Sequence, residues 1–226
     1  MRHRRSLLAA RAARLHLSGI RKMMIAAARY SDVIRLEVGE PDFATPGYII
    51  DAVSADLRTG LYTHYSPVAG YAELRNALAA RLSREHGLTV DPASELMVSV
   101  GGAGSLYAAI MATVDPGDEV LIPDPGYPQY TQMTLLAEGA PVYYPLREEN
   151  NFQPDLADLR SRIGRRAKAI LLNSPQNPTG AVLDRQTLDG IAALAQEHDL
   201  LVISDEVYST LVYTAEPHIS IASLPD

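Results

Sequence analysis

The sequence predicts an α/β fold, a mostly parallel sheet flanked by helices, and three observations predict it. From about residue 70 onward, short apolar runs alternate with helical patterns. The runs Ala169–Leu172 and Leu200–Ile203 are apolar at every position, which suits strands covered on both faces by helices. Clusters of Gly, Pro, Asn and Asp mark each change of pattern, as turns require.

The elements follow in order. Residues 1–47 stand outside the alternation and are expected to form an N-terminal arm and a substrate-side loop, GEPDFATPG (39–47). Residues 48–226 are expected to form one larger domain. YAELRNALAARLSREHG (71–87) puts Leu74, Leu78 and Leu82 on one stripe and reads as a helix stopped by Gly87. ELMVSV (95–100) reads as a strand, and GGAGSLYAAIMATV (101–114) as a Gly-rich turn opening a helix. DPGDEVLIP (115–123) is a turn and a strand, and PGYPQYTQMTLLAEGA (125–140) a loop and a helix closed by Gly139. PVYYPL (141–146) is a strand and DLADLRSRI (155–163) a helix. KAILLN (168–173) is a buried strand, DRQTLDGIAALAQEHD (184–199) a helix, and LLVIS (200–204) another buried strand.

Composition narrows the class. A chain of 226 residues, 47% hydrophobic and 21% charged, is an ordinary globular composition. No apolar run approaches the length of a membrane span. Cys is absent, which excludes disulfides and thiolate metal sites and is compatible with a cytoplasmic location. Residues 1–31 carry eight Lys/Arg and no acid, whereas the remainder carries 12 basic and 27 acidic residues, a balance of −15. An acidic body argues against nucleic acid as a partner. The basic start is read as an amphipathic arm in preference to a transit peptide.

Ligands of parallel α/β sheets sit beyond the carboxyl ends of the strands. Four segments were expected there: Gly101–Ser105, Pro123–Tyr127, Asn173–Gly180 and Asp205–Tyr208. VGGAGS (100–105) offers a helix N-terminus with close backbone approach, which suits a phosphate; a tight turn with no ligand explains it equally well. In NSPQNPTG (173–180), Asn173 and Asn177 each carry an amide that donates and accepts, on a loop stiffened by Pro175 and Pro178. Asp205 is the sharpest case. A carboxylate ending an apolar strand is costly unless paired. Its partner is expected to be an Arg, a helix N-terminus or a bound cation such as a protonated pyridine nitrogen. Tyr208 offers a hydroxyl on the same turn, and Tyr127 a flat face for a heteroaromatic ring.

GEPDF (39–43), YSPVAGYAELR (65–75), DPGDEVLIPDPGYPQY (115–130), NSPQNPTG (173–180) and SDEVY (204–208) occur in this order. With them the chain resembles the class I aminotransferases, fold-type I enzymes dependent on pyridoxal 5′-phosphate (PLP). The resemblance runs from Ser18 almost to the C-terminus, and NSPQNPTG followed by SDEVY is its most specific part. It implies that Gly102, Ala103 and Gly104 line the cofactor phosphate and that Tyr127 stacks on the pyridine ring. It implies that Asn177 and Tyr208 contact the ring's phenolic oxygen, while Asp205 pairs with the pyridinium nitrogen. Tyr65 would reach the phosphate of a neighbouring subunit in a homodimer, and Gly39, with Asn177, would sit on the substrate side. Amino acids and 2-oxo acids are the implied substrates.

One family feature has no counterpart. The family's Schiff-base lysine follows the DEVY motif after a further strand, and this chain holds only Lys22 and Lys168. The large domain is therefore expected to be incomplete, with the C-terminal small domain missing and the chain inactive by itself. Two alternatives stay open: a non-catalytic PLP-binding or protein-interaction relative, and another fold-type I PLP enzyme such as a β-lyase.

Overall fold

The computed structural model describes residues 7–213 and 215–225. Seven helices and four strands make up its regular structure. The helices are α1 (Gly19–Ala27), α2 (Gly47–Thr59), α3 (Ala72–His86), α4 (Gly101–Thr113), α5 (Pro128–Leu136), α6 (Leu156–Arg162) and α7 (Arg185–Glu197). The strands are β1 (Glu119–Asp124), β2 (Ala140–Pro145), β3 (Ala167–Asn173) and β4 (Leu201–Asp205). They form one sheet in the order β2-β1-β3-β4, parallel at every pairing.

The uninterrupted apolar runs have a physical reason. Val120 and Ile122 of β1 and Ala169 and Leu171 of β3 pack with Leu106 and Ile110 of α4 and Tyr130 and Met133 of α5. The residues between them, Leu121, Ile170 and Leu172, pack on the opposite side with Leu159 of α6 and Leu188, Ile191 and Leu194 of α7. Successive strand residues alternate faces, so a sheet with two covered faces needs apolar side chains at every position. Each such burial contributes about 1.5–3 kcal/mol.

The strand order also creates a crevice. The chain steps from β1 to β2 through α5, returns past β1 to β3 through α6, and continues outward to β4 through α7. The connections leave β1 and β3 in opposite directions, which opens a gap beyond the carboxyl ends of those two strands.

Local signals explain the helix ends. Asp155 and Asp184 cap α6 and α7, accepting from Ala157, Asp158 and Thr187 backbone N–H groups. Gly87 ends α3 in the left-handed region, at φ 68, as expected of a C-terminal glycine.

One expected strand is absent. Residues 95–100 are irregular. Val98 N–H donates to Ala69 carbonyl at 3.0 Å, but no ladder continues from that bond. A β-prone run becomes a strand only beside a free sheet edge, and this segment pairs with neither β2 nor β4. Gly101 consequently opens α4 from a loop rather than from a strand end.

Before α2, the described residues hold α1 and a 3-10 turn at Ala10–Arg14. This stretch meets the body at α5 and just beyond it, where Gln132 donates to His16 carbonyl at 3.0 Å and Arg11 lies 3.2 Å from Glu138. Among the described residues none before Leu106 is buried. The accessible surface is 15838 Å² for 24.5 kDa, against about 10,000 Å² for a compact monomer of that mass. Ile34, Leu36, Phe43 and Val68 are among the exposed apolar residues. Among the described residues no helix is long and apolar enough to cross a membrane.

Gly126 links β1 to Tyr127, and a Cβ there would fall inside contact distance of the Pro123 carbonyl oxygen. Gly126→Ala is expected to cost about 1–3 kcal/mol through backbone displacement. Urea unfolding checks this; an unchanged midpoint would show that the turn has room.

Candidate active site

The crevice ends in a cavity of about 200 Å³. Gly102, Ala103 and Leu106 of α4, Tyr127 and Tyr130 of α5 and its entry, Asn173 at the end of β3 and Asn177 beyond it, and Asp205 at the end of β4 with Val207 and Tyr208 beyond it line it. Four separate stretches of sequence therefore meet at one end of the sheet.

The loop after β3 is built from its own side chains. Asn173 is paired in register with Asp205. Its amide donates to Asp205 carbonyl at 2.9 Å and to Pro175 carbonyl at 3.2 Å. Its Oδ1 accepts from Asn177 N–H at 2.8 Å. Gln176, also buried, donates to Pro125 carbonyl at 2.7 Å and accepts twice from Thr179. The loops after β1 and β3 are thus joined through a side chain whose donor and acceptor are both used, as burial demands.

Asp205 closes β4 with its carboxylate toward α5. Tyr130 hydroxyl donates to Oδ2 at 2.7 Å and Val207 N–H donates to Oδ1 at 3.2 Å. Among the described residues neither an Arg nor a helix N-terminus holds it, in contrast to two of the three expected partners. Tyr130 sits one helical turn after Tyr127, and the rings meet edge to face with centroids 5.4 Å apart. Burial first, then the Asp205 charge, pushes the Tyr130 phenol well above the usual tyrosine range. Burial and Asp205 act in the same direction on Tyr127. The raised Tyr130 phenol keeps its proton and donates it to Asp205.

Three polar groups of the lining remain uncommitted. Among the described residues the Tyr127 hydroxyl, the Asn177 side-chain amide and the Tyr208 hydroxyl make no hydrogen bond. α4 opens with no side-chain cap; Gly101 N–H donates to Ser99 carbonyl at 2.9 Å, and the N–H groups that follow it in the first turn are left to face the cavity. Gly101, at φ 67, makes that turn, and a Cβ on Gly102 would meet open space. A carboxylate, two free hydroxyls, a free amide and a row of N–H groups form a donor set for a small ring carrying a cationic nitrogen, a ring oxygen and an anionic arm.

Six residues expected at the site line the cavity: Gly102, Ala103, Tyr127, Asn177, Asp205 and Tyr208. Gly104 lies on the same helix turn but is not part of the lining, and its Cβ position faces Ser99. Tyr65 and Gly39 are exposed and away from the cavity of their own chain. The structure adds Tyr130 and the bracing role of Asn173. The three-residue spacing of Tyr130 from Tyr127, the N-cap of α5, sets the two on one side of the helix start, but nothing local signals the pairing of Tyr130 with Asp205. Neither lysine reaches the cavity: Lys22 is exposed on α1, and Lys168 is exposed at the opposite end of β3 from Asn173.

A switch-point crevice with this lining defines a ligand-binding α/β protein of the parallel-sheet class. The chain belongs to the aminotransferase class I and II family, whose model matches residues 31–225; class I members are PLP-dependent enzymes. It is 44% identical over 207 residues to an aspartate aminotransferase of Pyrococcus abyssi, covering 92% of this chain and 53% of that protein. It is 40% identical to aromatic-amino-acid aminotransferase 2 of Thermococcus litoralis, with the same coverages of 92% and 53%. Among solved structures, an alanine aminotransferase from Pyrococcus furiosus superposes with a TM-score of 0.91 at 36% identity, covering 97% of this chain and 56% of that one. An aspartate aminotransferase from Thermus thermophilus with maleate gives a TM-score of 0.89 at 38% identity, over 96% and 57% of the respective chains. The chain spans about half the length of the curated relatives it matches.

The pairing of Tyr130 with Asp205 has a spectroscopic consequence. Ultraviolet titration of phenolate is expected to give the same curve for the protein and for Tyr130→Phe up to about pH 11, above the ordinary tyrosine value of about 10. A lost titration step near that value in the variant would show that Tyr130 ionises freely and is not held at Asp205.

Proposed function

We propose that this chain forms the cofactor-holding part of a PLP-dependent aminotransferase that moves amino groups between amino acids and 2-oxo acids. The observation that carries the reading is the convergence of Asp205, Tyr208, Asn177, Tyr127 and the start of α4 on one cavity. When bound, PLP supplies an electron-withdrawing ring that takes up negative charge developed at a substrate carbon.

The residues have distinct tasks in this reading. Asp205 faces the ring nitrogen and favours its protonated form, since an opposite charge stabilises a cation. Tyr130 and the Val207 N–H keep that carboxylate aimed. Tyr208 and Asn177 donate to the ring oxygen, and Tyr127 lies against the ring face. Gly102, Ala103 and Gly104 present N–H groups and the positive end of α4 to the phosphate. Gly39, together with Asn177, sits on the substrate side. Tyr65 serves the phosphate site of a second copy in a homodimer, a role supported by its full exposure and by the apolar surface around residues 33–68. The arm spans 1–47 and the cofactor domain begins at 48. A cytoplasmic location fits the cysteine-free composition. Relatives named for aspartate, aromatic amino acids and alanine leave the substrate side chain open.

With Lys22 and Lys168 both remote, the chain by itself holds PLP without a covalent bond and does not transaminate. Nothing in the lining is a base suited to a substrate proton.

Titrating PLP into the protein, followed by tyrosine fluorescence, tests this reading. Saturable binding is expected, and Asp205→Asn should weaken it by about a hundredfold, the cost of removing one partner of a desolvated ion pair. Borohydride reduction of the mixture should yield no stoichiometric adduct at either lysine. Equal affinity in Asp205→Asn would mean that Asp205 does not hold the ring.

A further inference from the structure

Two adjacent carboxylates end β4, and either is chemically able to face a cation. Successive strand side chains point to opposite faces, so a shift of one residue would exchange them. Asp205 turns toward Tyr130. Glu206 turns the other way, onto the side of Ser204, where a set of groups receives it. Its Oε1 accepts from Ser204 hydroxyl at 2.8 Å and from Ser220 hydroxyl at 2.9 Å. Its Oε2 lies 3.1 Å from His218 Nε2.

The His218 side chain is only 3% exposed. Its ring meets His86, the last residue of α3, edge to face with centroids 5.8 Å apart. Among the described residues neither ring nitrogen has an aligned hydrogen-bond partner, so the ring meets Glu206 by closeness more than by direction. Burial pushes the Glu206 carboxyl up, but His218, Ser204 and Ser220 together outweigh it and hold the group below the usual carboxylate range.

We infer that Ser204, His218 and Ser220 form a nest that selects Glu206 and thereby decides which of the two acids enters the cavity, making Glu206 and His218 positioning residues for Asp205. The nest holds two hydroxyls and an imidazole, whereas the cavity side offers a carboxylate one hydroxyl and one N–H. The longer acid suits the three-point site and the shorter one the two-point site. Emptying the nest would take the shared acceptor away from the buried imidazole and the two serine hydroxyls, a costly arrangement. The segment that carries His218 and Ser220 therefore acts on the cavity through Glu206 without touching it. This inference rests on the proposed role of Asp205, but it concerns how that residue is placed.

The test uses the 226-residue chain with two readouts: the 13C titration of the Asp205 carboxyl with no ligand added, and PLP affinity. His218→Phe strands the Glu206 charge. It should shift the Asp205 titration and weaken PLP binding by roughly tenfold, the scale of one misplaced hydrogen bond. His218→Phe combined with Glu206→Gln removes the stranded charge and should restore both readouts to within about twofold. Ser220→Ala, a milder change that keeps the fold, should move both in the same direction by less. A variant set that lowers melting temperature while leaving the Asp205 titration unchanged would overturn the inference. If the unaltered chain binds no PLP, the cofactor reading fails, and the carboxyl titration still decides this one.

Discussion

The register between β3 and β4 sets Asn173 opposite Asp205, and the site is organised around that pairing. The Asp205 carbonyl accepts from both the Asn173 amide and the Ser174 N–H. The other end of the same amide accepts the Asn177 N–H. One buried side chain therefore fixes the end of β4, the path of the loop after β3 and the place of Asn177. A slip of one residue would reverse every face of β4, moving Ile203 out of the core and Asp205 away from Tyr130. The two covered faces of the sheet oppose that slip, and at the strand end the contacts of Glu206 with Ser204, Ser220 and His218 oppose it too, so groups outside the cavity help determine which groups line it.

Polar side chains at this end of the sheet divide into two kinds. Asn173 and Gln176 are buried and have their hydrogen-bonding capacity used by the protein. Asn177, Tyr127 and Tyr208 are half-buried and leave theirs turned to the cavity. Leaving such groups unpaired costs about 1–3 kcal/mol each if they are fully desolvated. A bound ring with matching atoms recovers that cost. The same contrast holds on a larger scale: residues after Leu106 build a three-layered core, while those before it present apolar side chains to solvent. Patches of that extent mark surfaces that associate.

Much of this was legible in the sequence, for identifiable reasons. Apolar runs without alternation, such as Ala169–Leu172, announce strands covered on both sides, and β1 to β4 followed from them. Gly87 is a local signal that acts through its own backbone neighbours, so the end of α3 needed no tertiary information; the caps at Asp155 and Asp184 are of the same local kind but were found in the structure. Residues 95–100 misled because their composition favours a strand, while strand formation depends on a neighbouring edge that composition does not encode. Tyr130 as the partner of Asp205 was hidden for a similar reason. The two residues are 75 positions apart, and only the packing of α5 against the sheet brings them together. The nest around Glu206 was hidden as well, because it joins the end of α3, the end of β4 and the segment near Ser220.

The role proposed for Asp205, holding a protonated pyridine ring, is open to direct measurement. The most direct measurement is the 15N chemical shift of ring-labelled PLP bound to the protein and to Asp205→Asn. The account predicts a pyridinium shift with the unaltered protein that persists to a pH where free PLP has lost its ring proton, and a neutral-pyridine shift with the variant. A neutral-pyridine shift in both, with PLP bound in the cavity, would contradict it.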